Sequence, residues 1–422
     1  MTANSRFRRT FRKIYRKEEP ALKSAPVPAG IIAEFNPFHR GHAALIQAAR
    51  ESGATHVAVV MSGDFVQRGA PALLSKWSRT EMALRCGADA VFELPLPWAM
   101  AGAERFALGG VFLLAQLGCR RICFGSECGD VKALQETASL LLSPAFSAQL
   151  KQELSRGTGF ASAREAAVHS LAGPQAAALL QTPNNTLAIE YLKAAQLLSM
   201  ELEPFTITRF GADHHDSTPR AGFASATALR EWIQKGEGWE PFVPSEAAEI
   251  IKREIALGAC PADPARMERA LLFRLRSMTL AEFASLPDIS EGLENRLFAA
   301  SRKACTLDEW FSLVKTKRYS MARLRRILFS ALLGLTASDA QGLPPYLRLL
   351  GLRDSGVLFP RQAKETGKIP VLSHSSDLLH LDKRGRIMVE LEGKGSDLHA
   401  LFLPRPVPCG LNLSHGMVRV RS

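Results

Sequence analysis

From about residue 29 to residue 240, short apolar runs alternate with helical stretches, and this alternation narrows the possible folds more than any other feature. Ala29–Phe35, Thr55–Met61, Ala88–Leu94 and Arg121–Phe124 have the length and apolarity of buried strands, and helical patterns such as Ser78–Cys86 and Ala103–Leu117 lie between them. Strands that read as near-continuous apolar runs between helices predict an α/β domain, a parallel sheet with helices on both faces. In such sheets ligands sit at the carboxyl ends of strands. The loops after Phe35, Met61, Leu94 and Phe124 are therefore where chemistry is expected.

Charge divides the chain differently. The formal net charge is +12, but residues 1–28 hold eight Lys and Arg against two Glu, residues 29–240 hold 18 basic against 20 acidic, and residues 241–422 hold 27 against 19. A near-neutral middle thus lies between a basic tail and a basic second half, a balance that speaks of polyanionic partners rather than of fold. Three parts are expected: a basic, disordered extension over 1–28, the α/β domain over 29–240, and a mainly helical basic region over 241–422 with a small mixed part at its end. Gly236 to Pro244 punctuates the second boundary. Val91–Ala103 and Ile327–Ala337, the best apolar stretches, are too short or too interrupted to span a bilayer. No apolar leader opens the chain. Seven cysteines, odd in number and thinly spread, predict reduced buried thiols and a cytosolic protein. Nothing points to a membrane or to a stable protein partner.

The first strand-end loop reads Asn36-Pro-Phe-His-Arg-Gly-His42. Histidines at i and i+3 share one side of a first helical turn. A helix N-terminus already favours phosphate through its free N–H groups and dipole. Two imidazoles there can bond a nucleotide's phosphates and stabilise charge that builds on an α-phosphate under attack. The plainer reading is a pair of partly exposed histidines at a helix start. A strand, an HxGH turn and a helix opening a parallel domain resemble the nucleotidyltransferase superfamily, relatives of class I aminoacyl-tRNA synthetases. That superfamily also carries a late Ser/Thr-rich loop with a basic residue, which Phe223-Ala-Ser-Ala-Thr-Ala-Leu-Arg230 matches; Ser225 and Arg230 are its candidate phosphate or acetate contacts, together with Arg68.

Read in order, Gly30-Ile-Ile-Ala-Glu-Phe-Asn-Pro-Phe-His-Arg-Gly-His42, Met61-Ser-Gly-Asp-Phe-Val-Gln-Arg-Gly69, Phe92-Glu-Leu-Pro95, Phe124-Gly-Ser-Glu127, Pro183-Asn-Asn-Thr-Leu-Ala-Ile-Glu-Tyr191, Glu291-Gly-Leu-Glu-Asn-Arg296, Lys317-Arg-Tyr-Ser-Met-Ala-Arg323 and Tyr346-Leu-Arg-Leu-Leu-Gly351 resemble the tRNA(Met) cytidine acetate ligase family. The resemblance covers roughly Gly30 to the 350s. It implies an ATP-dependent ligase that turns acetate into an acetyl-adenylate and passes the acetyl group to the wobble cytidine of elongator tRNA(Met), giving N4-acetylcytidine. Carried onto this sequence, the ATP site is Ile32, Ala33, Glu34, Phe35, Asn36, Pro37, Phe38, His39, Arg40, Gly41, His42, Ala43, Ala44 and Leu45, completed by Gly125, Asn184 and Arg209, with His39 and His42 catalytic. ATP is expected with Mg2+ on its triphosphate and no dedicated metal cage. Two positions depart from the family pattern: Gly102 stands where Ser is expected, and Ala188 where Gly is expected.

Other residues invite plainer readings. Asp213-His-His-Asp216 lacks ligand spacing and reads as a loop. Lys76 and Arg79 read equally well as an exposed helix face. Glu93 and Glu127 follow apolar strand residues, so either edges a site or closes a helix cap. Between Arg302 and Arg326, eight Lys and Arg face only Asp308 and Glu309. Lys317, Arg318, Arg323, Arg325 and Arg326, grouped at a helix start, are the expected tRNA contacts; a solubilising charged face is the alternative. Two rival functions stand beside the ligase: adenylylation of a small-molecule cofactor precursor, and non-catalytic RNA binding.

Overall fold

The structure, a computed structural model, describes residues 26–209, 223–290 and 292–421, the Thr366 side chain aside. The cluster Asp213–Asp216 and nearly all of the basic tail lie outside these residues. An eight-stranded sheet organises the chain. Five of its strands, β1 (Pro28–Ala33), β2 (His56–Ser62), β3 (Ala90–Leu94), β4 (Arg121–Ser126) and β5 (Glu203–Thr208), run parallel in the spatial order 3-2-1-4-5. That is the doubly wound order, in which the winding reverses at β1 and opens a crevice between the ends of β1 and β4.

The helices that matter for the site are α1 (Arg40–Glu51), α2 (Lys76–Arg85), α3 (Ala103–Gln116), α4 (Pro183–Leu197) and α5 (Ala226–Lys235), followed in the second half by α6 (Leu293–Lys303), α7 (Met321–Leu333) and α8 (Lys383–His399). The pleat explains why β2 is apolar at every inner position. Val57, Val59 and Met61 pack with Ile46, Leu84 and Leu229 of α1, α2 and α5, whereas Ala58 and Val60 pack with Val111 and Leu114 of α3. A strand covered on both faces cannot alternate polar with apolar residues.

The second half is helical around its own core, where Leu297, Trp310, Leu324 and Phe329 meet. Its last part returns to the sheet. β6 (Leu347–Arg353) pairs antiparallel with β3, and β7 (Val371–Leu372) and β8 (Val418–Val420) run parallel to β6. The mixed region expected at the end of the chain is thus an extension of the first sheet, and the boundary near 241 does not enclose that sheet. Without β6, the apolar β3 would be an open edge with unpaired backbone groups. Among the described residues no helix is long and apolar enough to cross a membrane. All seven thiols are unpaired. Cys119, Cys123 and Cys260 are buried as expected and pushed up by that burial, but Cys128, Cys305 and Cys409 are exposed.

Candidate active site

The turn after β1 is built from short-range bonds. Phe35 takes a left-handed backbone (φ 47°) that swings the chain off the strand, and its ring packs 4.8 Å from those of Phe38 and His42. His39 then caps α1. Its Nδ1 accepts the Gly41 N–H at 3.1 Å, and His42 Nδ1 accepts the His39 N–H at 3.2 Å. With each Nδ1 an acceptor, each neutral ring carries its proton on Nε2. The rings stack 3.6 Å apart, and the buried Nε2 of His39 has no partner among the described residues. Burial, Arg209 and Arg230 bring His39 down to about 3; burial, His39 and Arg209 hold His42 well below its ordinary value. At neutral pH the pair is therefore two uncharged donors. The side chains of Ile32, Phe35, Phe38 and Leu45 are buried in the apolar cores, so what they offer a ligand is backbone, while Arg40 is exposed.

Across the crevice, the ends of β4 and β5 and the start of α4 lock together. Glu127 accepts the Asn184 N–H and Nδ2 and the Asn185 N–H, and Asn185 Oδ1 accepts the N–H groups of Glu127 and Cys128. Burial alone would push the Glu127 carboxyl up, but these hydrogen bonds hold it below its usual value. Glu127 meets both of its sequence readings: it caps the start of α4 and, through Asn184, edges the candidate site. Arg209 donates to Asn184 Oδ1 at 2.6 Å. A Cβ at Gly125 would lie 2.9 Å from Arg209 Cγ, so glycine there lets the arginine cross the strand end. Arg230 of α5 donates to the Asn36 carbonyl at 2.9 Å and to Thr227 Oγ1, and Ser225 caps α5 by accepting the Ala228 N–H. Burial brings Arg230 down to about 10, Glu34 offsets part of this, and Arg68 and Arg325 lower it further. Gly125, Asn184, Arg209 and Arg230 thus lie around the histidine turn.

Two residues read as an exposed helix face are among the most buried in the molecule. Arg79 and Lys76 are both 0% exposed. Arg79 donates to the carbonyls of Glu34, Ser62, Gly63 and Leu74, so a single guanidinium ties the turn after β1 to the loop after β2. Lys76 Nζ sits 2.7 Å from Glu93 Oε1 and 2.5 Å from Asn412 Oδ1, and Arg348 approaches Glu93 at 3.5 Å and Glu392 at 3.1 Å. Neither role was visible from helical spacing. The only signal was their position just after a strand-end loop, and that signal fits a surface helix equally well. Among the described residues no group of three His, Cys, Asp or Glu could hold a metal. The site's carboxylates, Glu34 and Glu127, are already engaged by backbone N–H groups.

With this geometry in place, the likeness to known proteins is specific. A family model described as HIGH Nucleotidyl Transferase matches residues 28–408. The tRNA(Met) cytidine acetate ligase of Acetivibrio thermocellus is 36% identical over 398 residues, covering 89% of this chain and 95% of that protein. The enzyme of that name from Syntrophotalea carbinolica is 38% identical over 400 residues, 89% of this chain and 94% of its own. The chain belongs to the tRNA(Met) cytidine acetate ligase family. Crystal structures of Thermotoga maritima TmcAL, in the apo form and bound with alpha-thio ATP, superpose with TM-scores of 0.88 and 0.87 at 30% and 29% identity, each covering 94% of this chain and all of that one. As a member, the chain is a ligase on a nucleotidyltransferase fold.

Against this membership the five basic residues of the second half separate. Lys317 and Arg318 are exposed in a turn closed by the Thr316–Tyr319 bridge, before α7 begins; with Gly292 and Arg296 they border an open cavity of about 460 Å³. Arg323 is held by the Asp288 carbonyl at 2.6 Å and by Ser290 Oγ at 2.8 Å, and Arg326 by the Asp288 carboxylate at 2.7 Å. Arg325 is exposed and makes no ion pair among the described residues. The five do not form one face: two precede the helix, two are tied to the Asp288 loop, and one stands apart.

Proposed function

We propose that this ligase activates acetate with ATP and acetylates the wobble cytidine of elongator tRNA(Met). The acetate carboxylate attacks the α-phosphorus, pyrophosphate leaves, and acetyl-adenylate forms. The N4 amine of cytidine then attacks the acetyl carbonyl, AMP leaves, and the amine proton is released, giving N4-acetylcytidine. The observation that carries this reading is the pair of Nε2–H donors at the switch point, set opposite Arg209 and Arg230. Uncharged donors fixed by their own Nδ1 acceptors need no reorganisation as negative charge builds on the phosphate. Ile32 to Leu45, Gly125, Asn184 and Arg209 form the ATP site, with Ser225, Arg230 and Arg68 beside it. Relatives that are tRNA(Met) cytidine acetate ligases support acetate and tRNA(Met), and the alpha-thio ATP complex of the Thermotoga protein supports the nucleotide. Mg2+ would come with the triphosphate and offset part of its charge; among the described residues no carboxylate cluster would hold it on its own. Lys317 and Arg318 serve the tRNA, placing the enzyme in the cytoplasm where that substrate is found.

The test is direct. Protein incubated with ATP, labelled acetate and tRNA(Met) transcript should yield labelled N4-acetylcytidine after digestion of the RNA. Turnover on a small phosphorylated acceptor instead would support cofactor adenylylation; RNA binding without any turnover would support the non-catalytic alternative.

A further inference from the structure

The helix Glu268–Ser277 of the second half turns an apolar side inward and a basic, aromatic side outward. Leu271 and Leu275 are buried in the core that holds Trp310 and Leu324, and Leu272 is buried beside them. At about 100° per residue, Arg269, Phe273 and Arg276 fall within roughly 60° of one another, on a side turned away from those leucines. All three are exposed. Phe273 is 74% exposed, more than any other aromatic side chain among the described residues. A ring left in water gives folding little, because its apolar area counts only when something covers it.

The guanidiniums around this ring differ in what holds them. Arg274, at the flank of the helix, donates to the Ala331 carbonyl at 2.9 Å and pairs with Glu282 at 3.3 Å. Arg276 donates to the Ala304 carbonyl at 2.7 Å. Arg302 of α6 donates to the carbonyls of Arg276 and Met278 and lies 4.5 Å over the Phe298 ring. Arg269 makes no hydrogen bond or ion pair among the described residues. None of Arg269, Arg276 and Arg302 meets a carboxylate there. Nearby acids serve other groups: Glu268 accepts the Leu307 N–H at 2.9 Å, Glu309 accepts the Cys305 N–H at 2.7 Å, and Glu282 accepts the Thr279 N–H at 2.8 Å. Asp308 stays exposed in the first turn of the next helix.

An exposed ring thus stands between two arginines, about 6 Å along the axis from one and about 4.5 Å from the other. A partner that offers flat π-faces and a negative charge on each unit of its backbone satisfies both kinds of side chain at once, and unpaired RNA is such a partner. We infer that Arg269, Phe273 and Arg276 form a second RNA-binding face, on which an unpaired base of the tRNA stacks on the Phe273 ring while flanking phosphates meet the two guanidiniums. The inference rests on the proposed reaction on tRNA and adds to it a contact beyond the Lys317–Arg318 turn.

The test measures binding of tRNA(Met) transcript by filter assay and of ATP by titration calorimetry, for wild-type protein and for Phe273→Ala, Phe273→Leu and Phe273→Trp. Loss of one stacked base should weaken tRNA at least about fivefold in Phe273→Ala, with ATP affinity within about twofold of wild type. Phe273→Trp should keep wild-type tRNA affinity. Phe273→Leu, apolar but without a flat face, should fall with the alanine variant. Arg269→Ala should make the slope of log affinity against log salt shallower by about 0.7, the loss of one phosphate contact on a single strand. Phe273 and Arg269 are exposed, so these substitutions remove no core packing. Unchanged tRNA affinity in Phe273→Ala, wild-type affinity in Phe273→Leu, an unchanged salt slope in Arg269→Ala, or an equal loss of tRNA and ATP would each overturn the inference. Retained tRNA affinity with loss of self-association on gel filtration would also overturn it, and give the face to a second copy of the chain. Wild-type protein that binds no tRNA would instead break the proposed reaction, so the two failures are distinguishable.

Discussion

The turn after β1 and the start of α2 are both polar segments at strand ends of the same sheet, yet they are held in opposite ways. In the turn, the bonds that set the two histidines join residues two and three apart. At α2, Lys76 reaches Glu93, 17 residues away, and Asn412, 336 residues away, while Arg79 collects carbonyls from as far as Glu34, 45 residues back. The first is a local motif whose geometry follows from its own spacing. The second is a clamp that exists only once β1, β2, β3 and the C-terminal segment have come together. A functional turn can thus be legible in a short string while the residues that hold it in place are not.

The clamp should show the larger effect. Arg79→Ala and Lys76→Ala each leave buried partners unpaired, and loss of one member of a buried charged set costs about 3–5 kcal/mol; a urea denaturation midpoint that hardly moves would place these residues in a surface role. Arg79→Lys should not restore the midpoint, because one ammonium cannot reach four carbonyls. The turn should behave the other way. His39→Ala and His42→Ala should lower acetate-dependent ATP–pyrophosphate exchange by about 10²–10³-fold each, with tRNA binding nearly intact by filter assay; equal loss of both activities would break the separation between the two regions.

A pH titration sharpens the same contrast. His39 titrates near 3 in the folded chain and near its ordinary value of 6.5 unfolded. Between those values the unfolded chain binds the extra proton, so this group's contribution to stability is lost as pH falls from 6.5 toward 3. Wild-type protein should therefore lose stability relative to His39→Ala across that window, and a difference constant with pH would show that the ring is not held neutral. The smallest effect is expected at Gly102, the residue that caps α3 without a side-chain bond. A Cβ there meets only Arg326 Nη2 at 3.9 Å, so Gly102→Ser, the residue expected from the family pattern, should add a few tenths of a kcal/mol by capping, measurable as a small rise in thermal midpoint.

What could be read from the sequence tracks how local each feature is. The apolar runs of β1 to β4 were readable because strands buried on both faces have no polar positions to disguise them. β5 (Glu203–Thr208) was not among the predicted strands, because it lies at the edge of the parallel set and its residues are mostly half-buried or exposed. β6, β7 and β8 were visible at most as a vaguely strand-like tail, since β6 reaches β3 only by pairing across more than two hundred residues, and β7 and β8 join the sheet through β6. Glu127 shows the same limit on a smaller scale: its position after a strand allowed two roles, and only the approach of α4 and Asn184 showed that it takes both.

The chain by itself determined the alternation that makes a doubly wound sheet, the HxGH turn at its first strand end, and the concentration of basic residues in the second half. Periodicity, capping and charge are properties of neighbouring residues, so they survive being read along a line. Only the tertiary structure decided that Lys76 and Arg79 are interior, that Arg323 and Arg326 are tied to Asp288, and that Gly69 packs its loop against the backbone of α7. Each of those depends on contacts between distant segments, and the sign of a charge does not say whether it will meet water, a carboxylate or a phosphate.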